Sequence, residues 1–177
     1  MIRLIRLLSL AFLVGTPLAS AAFADTLHGQ VIGISDGDTA TVLTNEGRQV
    51  KVRIAGIDAP EKAQAFGQAS KEAMSDCAFG KPVEIEWNKL DRYGRTIGKI
   101  QADGIDCGLR QIEMGLAWHY KAYEREQSPE DRRAYARAEI NAKDAGKGLW
   151  RDKRPVPPWE FRHAKSSEPT EAVHPTP

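Results

Sequence analysis

The chain has 177 residues, enough for one compact domain with a sizeable core. Its 25 Lys+Arg and 24 Asp+Glu give a formal net charge of +1, which excludes bulk charge as a means of holding nucleic acid. Any affinity for phosphate has to come from a local cluster.

At the start, Arg3 and Arg6 precede an apolar run, Leu7 to Leu18, and Ala22-Phe23-Ala24 fits a cleavage site before Asp25. Residues 1–24 therefore read as a secretory signal peptide. The run is short for a bilayer span of about 20 residues, and no later segment is apolar enough to cross. Losing Arg3 and Arg6 turns the net charge of +1 into −1. An exported chain meets an oxidising compartment, where Cys77 and Cys107 can pair or stay as buried thiols. Their separation rules out a zinc site.

Leu27 to Ile34 alternates loosely as a strand, interrupted by the turn Asp36-Gly37-Asp38-Thr39, and Ala40 to Thr44 resumes it. Asn45-Glu46-Gly47 marks a hairpin. Val50, Val52 and Ile54 alternate with Lys51 and Arg53, which aims Arg53 off the core face. Gly56 to Glu61 breaks the strand at Pro60. The spacing of Phe66, Ala69, Ala73, Met74 and Cys77 predicts a helix over 63–79. Strands follow at Val83–Trp87 and Ile97–Ala102, separated by the polar loop Asp91-Arg92-Tyr93-Gly94-Arg95. Asp103-Gly104 is a second hairpin turn, and a short helix is expected over 109–114. Ser128-Pro129-Glu130-Asp131 starts a last helix with a cap, a proline and acids in the first turn. Residues 154–177 are rich in Pro, Ser, Thr and Glu and read as a disordered tail after a domain over 25–153. Short strands, an inserted helix and terminal helices suggest an α+β fold: a five-stranded Greek-key OB-fold-like barrel with about three helices.

For chemistry, Asp36, Asp38, Asp58 and Glu61 offer hard oxygen ligands suited to Ca²⁺ or Mg²⁺, without the His/Cys cluster that zinc prefers. Asp36-Gly37-Asp38-Thr39 is a poor aspartyl-phosphatase motif, because Ala40 stands where Thr or Val belongs and no doubly wound sheet follows. Arginines suit phosphodiester cleavage, since a guanidinium stays charged and presents paired donors to phosphate. Arg53 and Arg95 could neutralise the transition state with a divalent ion, and Glu61 could activate water. Trp87 and Trp150 read as packing residues. His28 and His119 have no evident partner.

The stretches Ile34–Thr39, Val52–Glu61 and Asp91–Arg95, with Gly115-Leu116-Ala117 and Gly148-Leu149-Trp150, stand in the order and spacing of the staphylococcal nuclease family. From Val31 to Trp150 the chain resembles that family. The resemblance implies an OB-fold barrel that hydrolyses DNA and RNA with Ca²⁺ and leaves 3′-phosphate products. It implies Arg53, Glu61 and Arg95 as catalytic residues. Asp38, Asp58 and the backbone carbonyl of Ala59 would be calcium ligands, with Asp36 supporting the turn. Family members often carry Thr at the position of Ala59, so a hydroxyl near the ion is lost here. Arg92 and Tyr93 would line the nucleotide pocket, and Tyr123 would stack a base, a role for which Tyr120 competes. On the family fold Cys77 and Cys107 occupy core positions that could approach one another, which implies a disulfide. The expected protein is a secreted or periplasmic monomer without a stable protein partner and off the membrane after signal cleavage. The alternative is an inactive OB-fold module that holds single strands, but such a module would not need all five charged residues.

Overall fold

The computed structural model describes residues 25–167. The signal-peptide reading of residues 1–24 lies outside the described residues, as do residues 168–177 of the tail. Five strands, β1 (Asp25–Asp36), β2 (Thr39–Thr44), β3 (Gln49–Ile54), β5 (Pro82–Leu90) and β6 (Thr96–Ala102), form the barrel. Their order is β3-β2-β1-β5-β6, and a parallel pairing of β3 with β6 closes it at Val52–Thr96, Arg53–Ile97 and Ile54–Gly98. The expected five-stranded α+β barrel is the observed architecture. β4 (Ile57–Asp58) pairs separately with β8 (Trp118–His119), and β7 (Ile105–Asp106) extends the sheet beside β6.

Closure depends on β1, a 12-residue strand that pairs with both β2 and β5. Register shifts between Val31 and Gly33 and between Ile34 and Asp36 bend it, as bulges do in barrels. Period-two alternation sends Val31, Val42, Val52, Ile54, Ile85 and Ile100 into a core where each is at most 1% exposed. Arg53, between Val52 and Ile54, is left on the outer face as its strand pattern requires.

Four α-helices surround the barrel among the described residues: α1 (Gly67–Ala78), α2 (Cys107–Glu113), α3 (Pro129–Asp144) and α4 (Pro158–Ser167). α1 starts later than expected. Phe66 adopts a left-handed φ of 65°, and a Cβ on Gly67 would collide with the Glu61 carbonyl, so residues 61–66 form turns that wrap back on themselves. α2 starts earlier, because the Asp106 carboxylate caps the Leu109 N–H at 3.0 Å. The same carboxylate accepts from the Tyr135 hydroxyl at 2.9 Å and ties α3 to the barrel. Ser128 caps α3 through Asp131 N–H, as expected. The Pro-rich tail reads as disordered from its composition, above all beyond about Lys165, and within it Pro158–Ser167 is helical. Aromatic contacts described below supply the packing that its composition hides. No helix among the described residues is long and apolar enough to cross a membrane.

Gly115 (φ 68°) and Gly148 (φ 50°) explain two of the short motifs. A Cβ on Gly148 would strike the Gly115 carbonyl, which instead accepts from Leu149 N–H at 2.8 Å. This backbone crossing seats Trp150 edge-on against Trp118, with ring centroids 5.4 Å apart.

Cys77 of α1 and Cys107 of α2 form a disulfide across 30 residues of chain. In the chain-entropy account a loop of that size contributes about 3–4 kcal/mol. The Cys77→Ala/Cys107→Ala double variant should therefore lose about 3 kcal/mol in urea unfolding, and reduction should add two hydrogens to the mass of the oxidised protein. A midpoint unchanged by the double substitution would contradict this.

Candidate active site

The Asp36–Thr39 turn is pinned from three sides. Asp38 N–H donates to Asp36 Oδ1 at 3.2 Å, and Ile54 N–H donates to the Asp38 carbonyl at 2.8 Å. Gln111 Nε2 of α2, 1% exposed, donates to the carbonyls of Gly37 (2.9 Å) and Ser70 (2.7 Å) and so fastens the turn to α1. The contact is close enough to demand glycine: a Cβ on Gly37 would collide with Ser70 Oγ and lie 2.8 Å from Ala59 Cβ.

Asp58 is held by the β4–β8 ladder, opposite Trp118. Gly56 (φ 74°) turns the chain out of β3, and its carbonyl accepts from Tyr120 N–H at 2.8 Å. Arg53 joins these two elements. Its Nη1 donates to the carbonyls of Ile54 (2.7 Å) and Ile57 (2.9 Å), while Nη2 meets Asp58 Oδ1 at 3.1 Å and Asp38 Oδ2 at 3.2 Å. Two carboxylates, 6% and 1% exposed as residues, thus share one nitrogen. Ala59 N–H donates to Asp38 Oδ2 at 2.7 Å.

Glu61 follows in the turns before α1, anchored by its N–H to Gln64 Oε1 at 3.1 Å and half-exposed. On the opposite wall Asp91 closes the β5–β6 loop: its Oδ1 accepts from Tyr93 N–H and Arg95 N–H, each at 2.9 Å, and its Oδ2 accepts from Arg95 Nε at 2.7 Å. Burial pushes the Asp91 carboxyl up, but these donors outweigh it and hold it below the usual carboxylate range. Asp38, Arg53, Asp58, Glu61 and Arg95 line one cleft of about 700 Å³.

Burial pushes the Asp38 carboxyl up to about 7; Arg53 pulls it down, while Asp36 and then Asp58 raise it. Arg53 is the only guanidinium on Asp38 among the described residues, whereas Asp58 has Arg162 of α4 as well. Among the described residues no three His, Cys, Asp or Glu side chains gather closely enough to hold a metal alone. The two buried carboxylates of Asp38 and Asp58 still fit a hard divalent cation that completes about six to eight ligands with backbone oxygens and water. They do not fit zinc.

Arg92 and Tyr93 lie on the same cleft, Tyr93 68% exposed with the Arg92 guanidinium 4.9 Å and the Arg95 guanidinium 5.6 Å from its ring. Tyr123 is also exposed on the cleft, with Lys89 Nζ 5.4 Å above its ring. Tyr120, its rival, is half-buried and stacked on Trp159. Three residues unforeseen from sequence matter here: Gln111 behind the turn, Asp91 behind Arg95, and Arg162 of α4, which reaches into the cleft. The Asp-to-Arg spacing of four across a glycine turn is the signal that could have found Asp91.

His119 is away from the cleft. It is 1% exposed, its Nε2 pairs with Gln127 Oε1 at 2.8 Å, and its Nδ1 has no partner among the described residues. Burial holds the imidazole below the ordinary histidine value, with the Gln127 bond acting the other way. A depressed histidine binds its proton more readily unfolded, so its stabilising effect is complete above about pH 6.5 and is lost as pH falls through the lower folded value. Wild type should lose stability on acidification by at most about 1.4 kcal/mol per pH unit relative to His119→Gln. Asp38 acts with the opposite sign, so the difference between the two proteins is the quantity to measure by urea unfolding. Parallel pH profiles would contradict the assignment.

The sequence matches the model of the family described as staphylococcal nuclease homologue over residues 51–152. It is 41% identical over 133 residues to an uncharacterized endonuclease of Haemophilus influenzae, covering 75% of this chain and 71% of that one. It is 35% identical over 155 residues to a micrococcal nuclease of Shigella flexneri, covering 82% and 86%. An uncharacterized endonuclease of Escherichia coli is 36% identical over 140 residues, covering 78% and 87%.

Proposed function

Because the chain belongs to the staphylococcal nuclease family, we propose that it is an exported, Ca²⁺-dependent nuclease that hydrolyses DNA and RNA and leaves 3′-phosphate ends. The observation that carries this reading is the single cleft in which Asp38 and Asp58 share Arg53 and face Glu61 and Arg95. Relatives named as endonucleases and as a micrococcal nuclease support it. The Cys77–Cys107 disulfide and the residue pattern of 1–24 support export.

Asp38, Asp58 and the Ala59 carbonyl would hold the cation, which when bound supplies Lewis-acid neutralisation of the charge that develops on phosphate. Glu61 orients a water and takes its proton as the water oxygen attacks phosphorus. Arg95, whose Nε is held by Asp91, turns its guanidinium to the equatorial oxygens of the five-coordinate phosphorus. Arg53, whose Nη groups are bound to the turn and to both carboxylates, adds fixed positive charge beside them where negative charge accumulates. Breaking the bond from phosphorus to O5′, with O5′ taking a proton from solvent water, leaves a 3′-phosphate and a 5′-hydroxyl. Tyr93, Arg92 and Tyr123 line the route of the strand and can stack or pair with successive nucleotides. The protein acts as a monomer.

End-group analysis of digested single-stranded DNA and RNA tests the reaction. The proposal requires 3′-phosphate termini that become extendable only after phosphatase treatment. Free 3′-hydroxyl ends, or binding without cleavage, would overturn it, the latter in favour of the binding module.

A further inference from the structure

We propose that α4 is a strap that competes with the cation, so that metal binding and release of the C-terminal segment are two sides of one equilibrium. This rests on reading Asp58 and Glu61 as the cation and water site. Arg162 Nη2 meets Asp58 Oδ2 at 2.9 Å, and Nη1 meets Asp58 Oδ1 at 3.2 Å and Glu61 Oε1 at 2.8 Å. Arg53 already takes Asp58 Oδ1. Both oxygens of a carboxylate that is 1% exposed are therefore covered by guanidinium, and Glu61 is neutralised as well.

The contact is built into the fold. Trp159 lies stacked on Tyr120, with centroids 5.6 Å apart at 28°, and edge-on to Trp118 at 6.3 Å. Pro158 is buried, and Gln64 donates to the Val156 carbonyl, so the segment is fastened ahead of the arginine. Three residues past Trp159, close to one helical turn, Arg162 is delivered over Asp58. A dication on Asp58 and a guanidinium on the same two oxygens repel at contact distance. One leaves when the other arrives. Coupling of this kind is reciprocal: docking weakens the cation by the factor by which the cation weakens docking. A strap docked in about nine molecules of ten raises the apparent dissociation constant about tenfold. Release also frees Glu61 for water and uncovers the Tyr120 face now stacked on Trp159. In this way the enzyme is held closed where calcium is scarce and opens where it is abundant.

Calcium titration by calorimetry on protein 25–177 tests this with wild type, Arg162→Gln and Trp159→Ala, the last of which loosens the strap without touching the carboxylates. Both variants should bind Ca²⁺ about tenfold more tightly than wild type. Limited trypsin digestion read by mass spectrometry should show cleavage after Arg162 accelerate when wild type is saturated with Ca²⁺. Equal or weaker binding by both variants, or a tail equally protected with and without Ca²⁺, would overturn the strap while leaving the cation site intact. Absence of Ca²⁺ binding in all three proteins would instead overturn the cation site, and the competition with it.

Discussion

Arg53→Lys should lower kcat by about a hundredfold to a thousandfold, the cost of losing one preorganised donor to developing charge, while the protein stays folded. The lysine keeps the charge but not the planar fork. Arg53 uses that fork in two directions at once, with Nη1 on the carbonyls of Ile54 and Ile57 and Nη2 between Asp38 and Asp58. An ammonium cannot span both sets. Arg53→Met should do more. It leaves buried Asp38 without a cation, while Asp58 keeps Arg162, and breaking a buried pair in this way costs about 3–5 kcal/mol. Some of that cost is relieved by protonation, because Asp38 already sits at about 7. The methionine variant should therefore be destabilised more at pH 8 than at pH 6, whereas the lysine variant should show no such difference. Single-turnover kinetics and urea unfolding at the two pH values separate the effects. Lys at full activity would remove Arg53 from the chemistry.

Glu61→Gln should cut kcat by about a hundredfold to ten-thousandfold, the usual worth of a positioned general base. The amide can still hold a water but cannot take its proton. Stability should hardly move, because the Glu61 side chain is 40% exposed and its ion pair with Arg162 is an exposed one of small worth. Calcium affinity should not fall, since Asp38 and Asp58 remain. This combination of lost turnover with retained metal binding and retained fold separates Glu61 from the ligands: Asp58→Asn should lose calcium binding as well. A glutamine variant with unaltered kcat would show that another group activates the water.

The barrel was legible because each strand keeps its alternation. Val52 and Ile54 face in and Arg53 faces out, so periodicity alone aimed one side chain of the cleft correctly. The broken stretch at Gly56–Pro60 and the Asp36–Thr39 turn were also readable as interruptions. That these interruptions meet was not readable from local pattern. It follows from barrel closure between β3 and β6 and from the β4–β8 ladder, both long-range pairings. Order and spacing of the motifs supplied what periodicity could not, and Arg95 in particular came from the motif rather than from any strand rule. Residues that hold others in place escaped notice. Gln111 looks like an ordinary polar helix residue until α2 turns it inward against Gly37 and Ser70. Asp106 stands between the Asp103-Gly104 turn and the helix expected from residue 109, and only the structure shows that its carboxylate begins α2 and anchors Tyr135. The helix at the start of the tail is hidden from composition for a physical reason as well. Its composition has little to bury by itself, and α4 is held by Trp159 against Tyr120 and Trp118, rings that are contributed by a different part of the chain.

Cleavage of single-stranded DNA by the purified chain 25–177, followed with added Ca²⁺, then with excess chelator, then with Ca²⁺ restored, is the decisive assay. A Ca²⁺-dependent nuclease built on Asp38, Asp58, Glu61, Arg53 and Arg95 digests the strand, stops on chelation and resumes on restoration. Digestion that continues unabated in chelator, or an intact strand at saturating Ca²⁺, would contradict that account.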